Sequence, residues 1–136
     1  NDQIQQQIGK PPANAECLPL EAEPVEQFFA SLHCYCQLNG KAQENWPRAG
    51  LEAMAAGVPI VVEARGGWVE MIEHRRTGFC CGSDAELAHA LAILAWDDDL
   101  RQEMARRAWV RLVAKLSEPE AIFAGWRRIF EGLAHG

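Results

Sequence analysis

Apolar positions along this chain keep two rhythms, and the change between them falls after RRTGFCC (75–81). Before it, short apolar runs alternate with stretches of helical spacing. CLPL (17–20) reads as a short strand, and Val25, Phe28, Phe29 and Leu32 recur at the spacing of one helix face. HCYCQL (33–38) reads as a strand, followed by the polar loop NGKAQEN with its Asn-Gly turn signal. RAGLEAMAA (48–56) predicts a helix, with Pro47 suited to its first turn and Gly57 as its stop. PIVVE (59–63) is a continuous apolar run, as expected of a strand buried on both faces. ARGG is a Gly-rich turn, WVEMIEH a short helix, and RRTGFCC a turn into a strand.

Beyond RRTGFCC the pattern is helical only. Asp84 is a candidate cap for a helix carrying Leu87, Leu91 and Leu94. Asp97, Asp98 and Asp99 favour the start of a second, carrying Met104, Ala108, Trp109, Leu112 and Leu116. Ser117 is a candidate cap for a third, with Ile122, Trp126, Ile129, Phe130 and Leu133 on one face. The start is less defined: DQIQQQIG predicts a short helix and GKPPAN a turn or linker. Strands alternating with helices predict βαβ units and a parallel sheet, an α/β fold of partial Rossmann-like type with a helical C-terminal tail. About four strands are visible, fewer than the five or six usual in a doubly wound domain. Three segments are expected: a polar stretch at 1–15, a partial Rossmann-like region at 16–96 and C-terminal helices at 97–136.

Composition narrows the partners. With 136 residues the chain is long enough for one domain with a real core. A net charge of -6 and no basic stripe disfavour a nucleic acid. No apolar run approaches the length of a membrane span and no secretory signal is visible. Five cysteines, an odd number, point to free thiols in a reducing cytoplasm. Cys34, Cys36, Cys80 and Cys81 lack the spacing of a metal site and fall in expected strands, so they read as small buried hydrophobes. The four histidines, His33, His74, His89 and His135, do not cluster along the sequence.

In an open parallel sheet, ligands bind beyond the carboxyl ends of the strands. Two such ends carry ENWPRAGLE (44–52) and the Gly66-Gly67 turn. Glu44 precedes a helix N-terminus and Glu52 lies one turn into that helix. The first amides of a helix carry partial positive charge and can hold a diphosphate. A carboxylate on either side can accept from hydroxyls, so the spacing suits a nucleotide-sugar. The same residues also have a plain structural use: acids near a helix start are favourable without a ligand, and Arg48 and Glu52 can pair at i,i+4.

The stretch ENWPRAGLEAMAAGVPIVVEARGGWVEMIEHRRTGF resembles the C-terminal domain of retaining glycosyltransferases of the GT-B fold, group 1 (family 4). The resemblance rests on Glu44 and Glu52 as an E-x7-E pair and on Ala53, Met54, Ala55, Gly57 and Pro59 after it. It continues through the Gly66-Gly67 turn, Glu70, and the Thr77-Gly78 pair, and covers residues 16–133. It implies a domain that binds a UDP- or GDP-linked hexose-type sugar and transfers it with retention, with no metal or other cofactor. On the same grounds Glu44 is the candidate catalytic residue and touches the donor sugar, while Glu52 accepts from the ribose. Trp46, Pro47, Arg48 and Ala49 line the sugar and diphosphate, and Gly66 and Gly67 let the backbone approach the nucleotide.

Three departures from the family pattern stand out. Trp46-Pro47 replaces an aromatic-Gly pair, removing one N–H, with the Arg48 guanidinium as a substitute. Trp68 stands where the family often has proline, either stacked on a base or packed in the core. Nothing before residue 16 matches the family's first strands and Gly-rich loop, and no acceptor domain is matched. The chain is therefore expected to be the second half of a donor domain, inactive in isolation and completed by the remainder of the donor domain or the acceptor domain. The full protein is expected in the cytoplasm, with peripheral attachment to the inner membrane as a further expectation. The competing reading is a non-catalytic interaction module, a half-domain that self-associates as a homodimer.

Overall fold

The computed structural model of the chain describes residues 12–16, 18 and 22–134. Their elements run α1 (Val25–Ala30), β1 (Tyr35–Gln37), α2 (Arg48–Ala55), β2 (Ile60–Glu63), α3 (Trp68–Met71), β3 (Phe79–Cys81), α4 (Asp84–Trp96) and α5 (Asp98–Arg111). A π-helical turn (Leu112–Leu116) and α6 (Pro119–Ala134) complete the described chain. The sheet has the order β1-β2-β3 and is parallel throughout, with Tyr35 opposite Ile60 and Val61 opposite Phe79. The alternation of strand and helix thus builds the expected α/β architecture. The expected CLPL strand, apart from Leu18, and the DQIQQQIG helix lie outside the described residues.

Side-chain alternation sorts the strands onto two cores. Ile60 and Val62 face one, with Phe29, Met54, Trp68 and Met71. Val61 faces the other, with Phe79, Cys81, Ala90, Leu94 and Met104. Helix α5 and the π turn after it serve both, since Met104 enters the second core and Ala108 and Leu112 the first. Their buried stripe runs 104, 105, 108, 112, which leaves Trp109 off the stripe and half exposed. Cys36 in β1, at the edge of the described sheet, is exposed; Cys34 just before it and Cys80 in β3 are half-buried, and Cys81 is buried. The expectation of buried cysteines therefore fails at Cys36. It lies in register with Val61 on the face that α4 covers over β2 and β3, at the strand farther from that helix.

Helix ends follow local chemistry, with some shifts from expectation. Ser83 caps α4, its hydroxyl accepting from the Glu86 N–H at 3.3 Å, while Glu86 reaches back to the Gly82 N–H at 2.8 Å. Asp84 is only the first helical residue. Asp97 caps α5 by accepting from the Leu100 N–H at 2.8 Å. The Ser117 hydroxyl donates to the Leu112 carbonyl at 2.9 Å and closes the π turn instead of opening α6, which starts at Pro119. Helix α3 is only four residues long, and Arg111 compensates: its guanidinium donates to the Met71 carbonyl at 2.8 Å and the Glu70 carbonyl at 2.6 Å, and pairs with Glu73. This supplies partners to carbonyls that a helix end leaves open.

Candidate donor site

The site forms where the loops after β1 and β2 meet. Glu63, the last residue of β2, accepts from the Asn39 N–H at 2.8 Å and the Gly40 N–H at 3.1 Å. The Arg65 guanidinium donates to the Gly40 carbonyl. These bonds fix the turn that follows β1. Sequence reading passed over Glu63, although a charge ending an otherwise buried strand at its carboxyl end was a usable signal.

The Gly66-Gly67 turn lies flat on the backbone of residues 44–45. Gly67 N–H donates to the Glu44 carbonyl at 2.8 Å. A Cβ on Gly66 would come within 2.5 Å of that carbonyl oxygen, and one on Gly67 within 2.0 Å of the Asn45 oxygen. Gly66 also holds a φ of +56°, open to glycine at no steric cost. Close approach at this turn is therefore made first of all to the chain's own backbone. Thr77 and Gly78 also have an internal use: the Thr77 hydroxyl accepts from the Glu73 N–H at 2.9 Å, and a Cβ on Gly78 would meet the Ile60 oxygen at 2.8 Å.

Clasped this way, the 44–47 segment delivers α2. Pro47 is the N-cap residue, at φ -70° and ψ 108°, one position earlier than expected, and it is buried. Its carbonyl accepts from the Gly50 N–H at 3.1 Å, while the Arg48 and Ala49 amides open the helix ahead of that bond. Trp46 is exposed beside it. Glu44 is exposed, its Oε1 accepting from Gln37 Nε2 at 3.1 Å. Glu52 lies one turn into α2, half-buried, with its carboxylate 3.8 Å from the Arg48 guanidinium. That separation, between side chains so open to water, is a weak surface pair. Glu52 also borders a cavity of about 370 Å³ lined by Val25, Phe29, Ala30 and Ala55.

Tyr35 links the two carboxylates electrostatically. Burial pushes its phenol above the ordinary value, and the charges of Glu44, Cys36 and Glu52 add to the rise in that order. Both motif glutamates therefore act on one tyrosine of β1. Trp68, by contrast, is fully buried in the first core, with its Nε1 lacking a partner among the described residues. Of its two expected roles, core packing is the one observed. His33, His74 and His89 are all exposed. Among the described residues no group of three or more His, Cys, Asp or Glu is arranged to hold a metal ion. A wider cleft of about 470 Å³ beside α5 contains Arg76, Arg106, Arg107 and Arg111, but these are paired with Glu73 and Glu103. At the motif glutamates the partners are lighter: Arg48 stands 3.8 Å from Glu52, and Gln37 donates to Glu44 at 3.1 Å.

Residues 2–110 match the family model for glycosyl transferases group 1. The chain belongs to this family. It is 32% identical over 98 residues to human alpha-1,3/1,6-mannosyltransferase ALG2, a match covering 71% of this chain and 23% of ALG2. The structure superimposes on Anabaena Alr3699/HepE in complex with UDP-glucose with a TM-score of 0.61 at 25% identity, over 82% of this chain and 30% of HepE. The C-terminal domain of LpcC from Francisella tularensis, another group 1 glycosyl transferase, shares the fold at 20% identity and a TM-score of 0.61, over 86% of this chain and 60% of that one. This member of the group 1 glycosyl transferases thus spans less than a third of the length of ALG2 or HepE. Among its described residues no helix is long and apolar enough to cross a membrane.

Proposed function

We propose that this region binds the nucleotide-sugar donor of a retaining hexosyl transfer carried out by a larger protein. The observation that carries the reading is the placement of Glu44 and Glu52 on either side of the α2 N-terminus, at the carboxyl end of a parallel sheet. The Arg48 and Ala49 amides and the Arg48 guanidinium are the groups offered to a diphosphate. Glu52 is the acceptor for the ribose, and the apolar cavity beside it has room for the adjoining nucleoside. Glu44, with Trp46 at its side, is the acceptor for sugar hydroxyls and positions the anomeric carbon. A phosphate oxygen of the donor takes the acceptor's proton, so no residue here need act as a base and no metal is invoked. UDP is the favoured nucleotide because HepE was crystallised with UDP, UDP-glucose, and UDP and glucose. Efficient turnover is expected only when the acceptor-binding part is present.

Calorimetric titration of the chain with UDP, GDP and ADP tests this reading. One nucleotide should saturate, and Glu52→Ala should weaken it about tenfold or more, the loss of a charge-assisted hydrogen bond. Equal affinity in wild type and variant would overturn the assignment of Glu52. A second reading, self-association, has its own support in α6, whose Ile122, Phe123, Trp126 and Phe130 are exposed. Light scattering across a concentration series decides it: a dimer supports the module reading, and a monomer throughout removes it.

A further inference from the structure

Glu44 sits on a loop, exposed to water, with three side-chain torsions free to rotate. A carboxylate so placed meets a ligand in one geometry only if something holds it. What holds it here is Gln37, the last residue of β1. Gln37 and Tyr35 are two apart on the strand and share one face of the sheet. The Gln37 side-chain amide uses both its hydrogens, one on Glu44 Oε1 at 3.1 Å and one on Asn39 Oδ1 at 2.8 Å. Its oxygen accepts from the Tyr35 hydroxyl. The amide has one orientation that works, because a carboxylate accepts and cannot donate. Tyr35 in turn is fixed by its ring, edge-on to Phe29 with centroids 5.5 Å apart. A line of contacts therefore runs from the buried core to the exposed carboxylate.

We propose that Gln37 is a positioning residue for Glu44, setting the carboxylate toward the sugar of the donor, with Tyr35 locking Gln37 in place. The role rests on the donor-site reading above. Gln37 acts on the sugar end alone: the nucleotide end is served by Glu52 and the start of α2, to which Gln37 makes no hydrogen bond. Loss of Gln37 should therefore separate affinity for a sugar nucleotide from affinity for the nucleotide itself.

The test uses the chain with UDP-glucose and UDP as probes. Gln37→Ala should weaken UDP-glucose about tenfold and leave UDP unchanged. Gln37→Glu, which keeps the side chain's size and sets a like charge against Glu44, should lose at least as much. Tyr35→Phe should give a smaller loss of the same kind, and adding it to Gln37→Ala should cost nothing further, because Tyr35 acts through Gln37. Equal loss for both probes, no loss for either, or additive losses would overturn the role. Glu52→Ala separates the two levels: if it weakens UDP while Gln37→Ala affects neither probe, the donor site stands and the positioning role falls. If UDP does not bind at all, the donor reading fails and takes the role with it. The Gln37 side-chain amide resonances then still report the contact, and their indifference to Glu44→Ala would show that no such contact forms.

Discussion

Replacing Gly67 with alanine tests the claim that the Gly-Gly turn is clasped to the loop bearing Glu44. Gly67 has a φ of -64°, so its backbone conformation suits any residue and the effect is purely steric. Its new Cβ would stand 2.0 Å from the Asn45 oxygen and 2.7 Å from the Asn45 carbonyl carbon. Ordinary contact begins near 3.4 Å, so the loop must retreat by about 1.4 Å, and the obstruction is backbone that cannot rotate away. That retreat breaks the Gly67 N–H bond to the Glu44 carbonyl, now 2.8 Å. Overpacking costs roughly 1–3 kcal/mol and a lost hydrogen bond about 1 kcal/mol, together about 3 kcal/mol. For a domain of this size that is a fall of roughly 10 °C in melting temperature. Gly125→Ala in α6 is the control: nothing lies within 4 Å of its Cβ, and the helix should gain about 0.5–1 kcal/mol. Urea unfolding followed by tryptophan fluorescence measures both. A Gly67→Ala midpoint equal to that of wild type would show that the two loops are not in contact as described.

Three more expectations follow from features already described. Trp68 is fully buried while Trp46, Trp96, Trp109 and Trp126 are exposed, so Trp68→Phe should remove the blue-shifted component of emission and leave the red-shifted one; an unchanged spectrum would contradict its burial. Arg111→Gln should destabilise by about 2 kcal/mol in denaturant unfolding by uncoupling α3 from α5, and Arg111→Lys should fail to restore it, since an ammonium cannot serve three acceptors in a planar fork. The Glu103 carboxyl is held at about 2, below its usual 4.5, chiefly by its hydrogen bond from Arg106 and also by Arg107. Its folded value is depressed, so its contribution to stability is present above pH 4.5 and is lost as pH falls toward about 2. Glu103→Gln should flatten that part of a stability-against-pH profile; an identical slope would exclude the pair from acid unfolding.

The strands and most helices were legible because each has a local cause. PIVVE declares a strand buried on both faces, and Asp97 and Pro47 mark helix starts within a residue. The helix predicted at WVEMIEH came out shorter because its end is set by Arg111, forty residues away along the chain from Met71, and periodicity carries no such information. Trp109 and Ser117 were misplaced for a related reason: the buried stripe of α5 and the π turn after it depend on which faces the sheet leaves free. At the site, the E-x7-E pair was visible as a pattern. Gln37 and Tyr35 were not, since what they do depends on the end of a strand meeting a loop in space, while Glu63 left a signal that was passed over. The purpose of Gly66 and Gly67 was read as room for a ligand, and the structure gives them a nearer neighbour.

That last point bears on what a motif can testify to. A residue required for folding persists in a chain whether or not the chain still does its original work, so Gly66 and Gly67 identify an architecture and are silent about activity. Glu52 is different, since the fold asks little of it: one loose pairing with Arg48 at 3.8 Å and no buried bond. In a descendant that had abandoned its ligand, the glycines would still be there, and Glu52 would be free to drift.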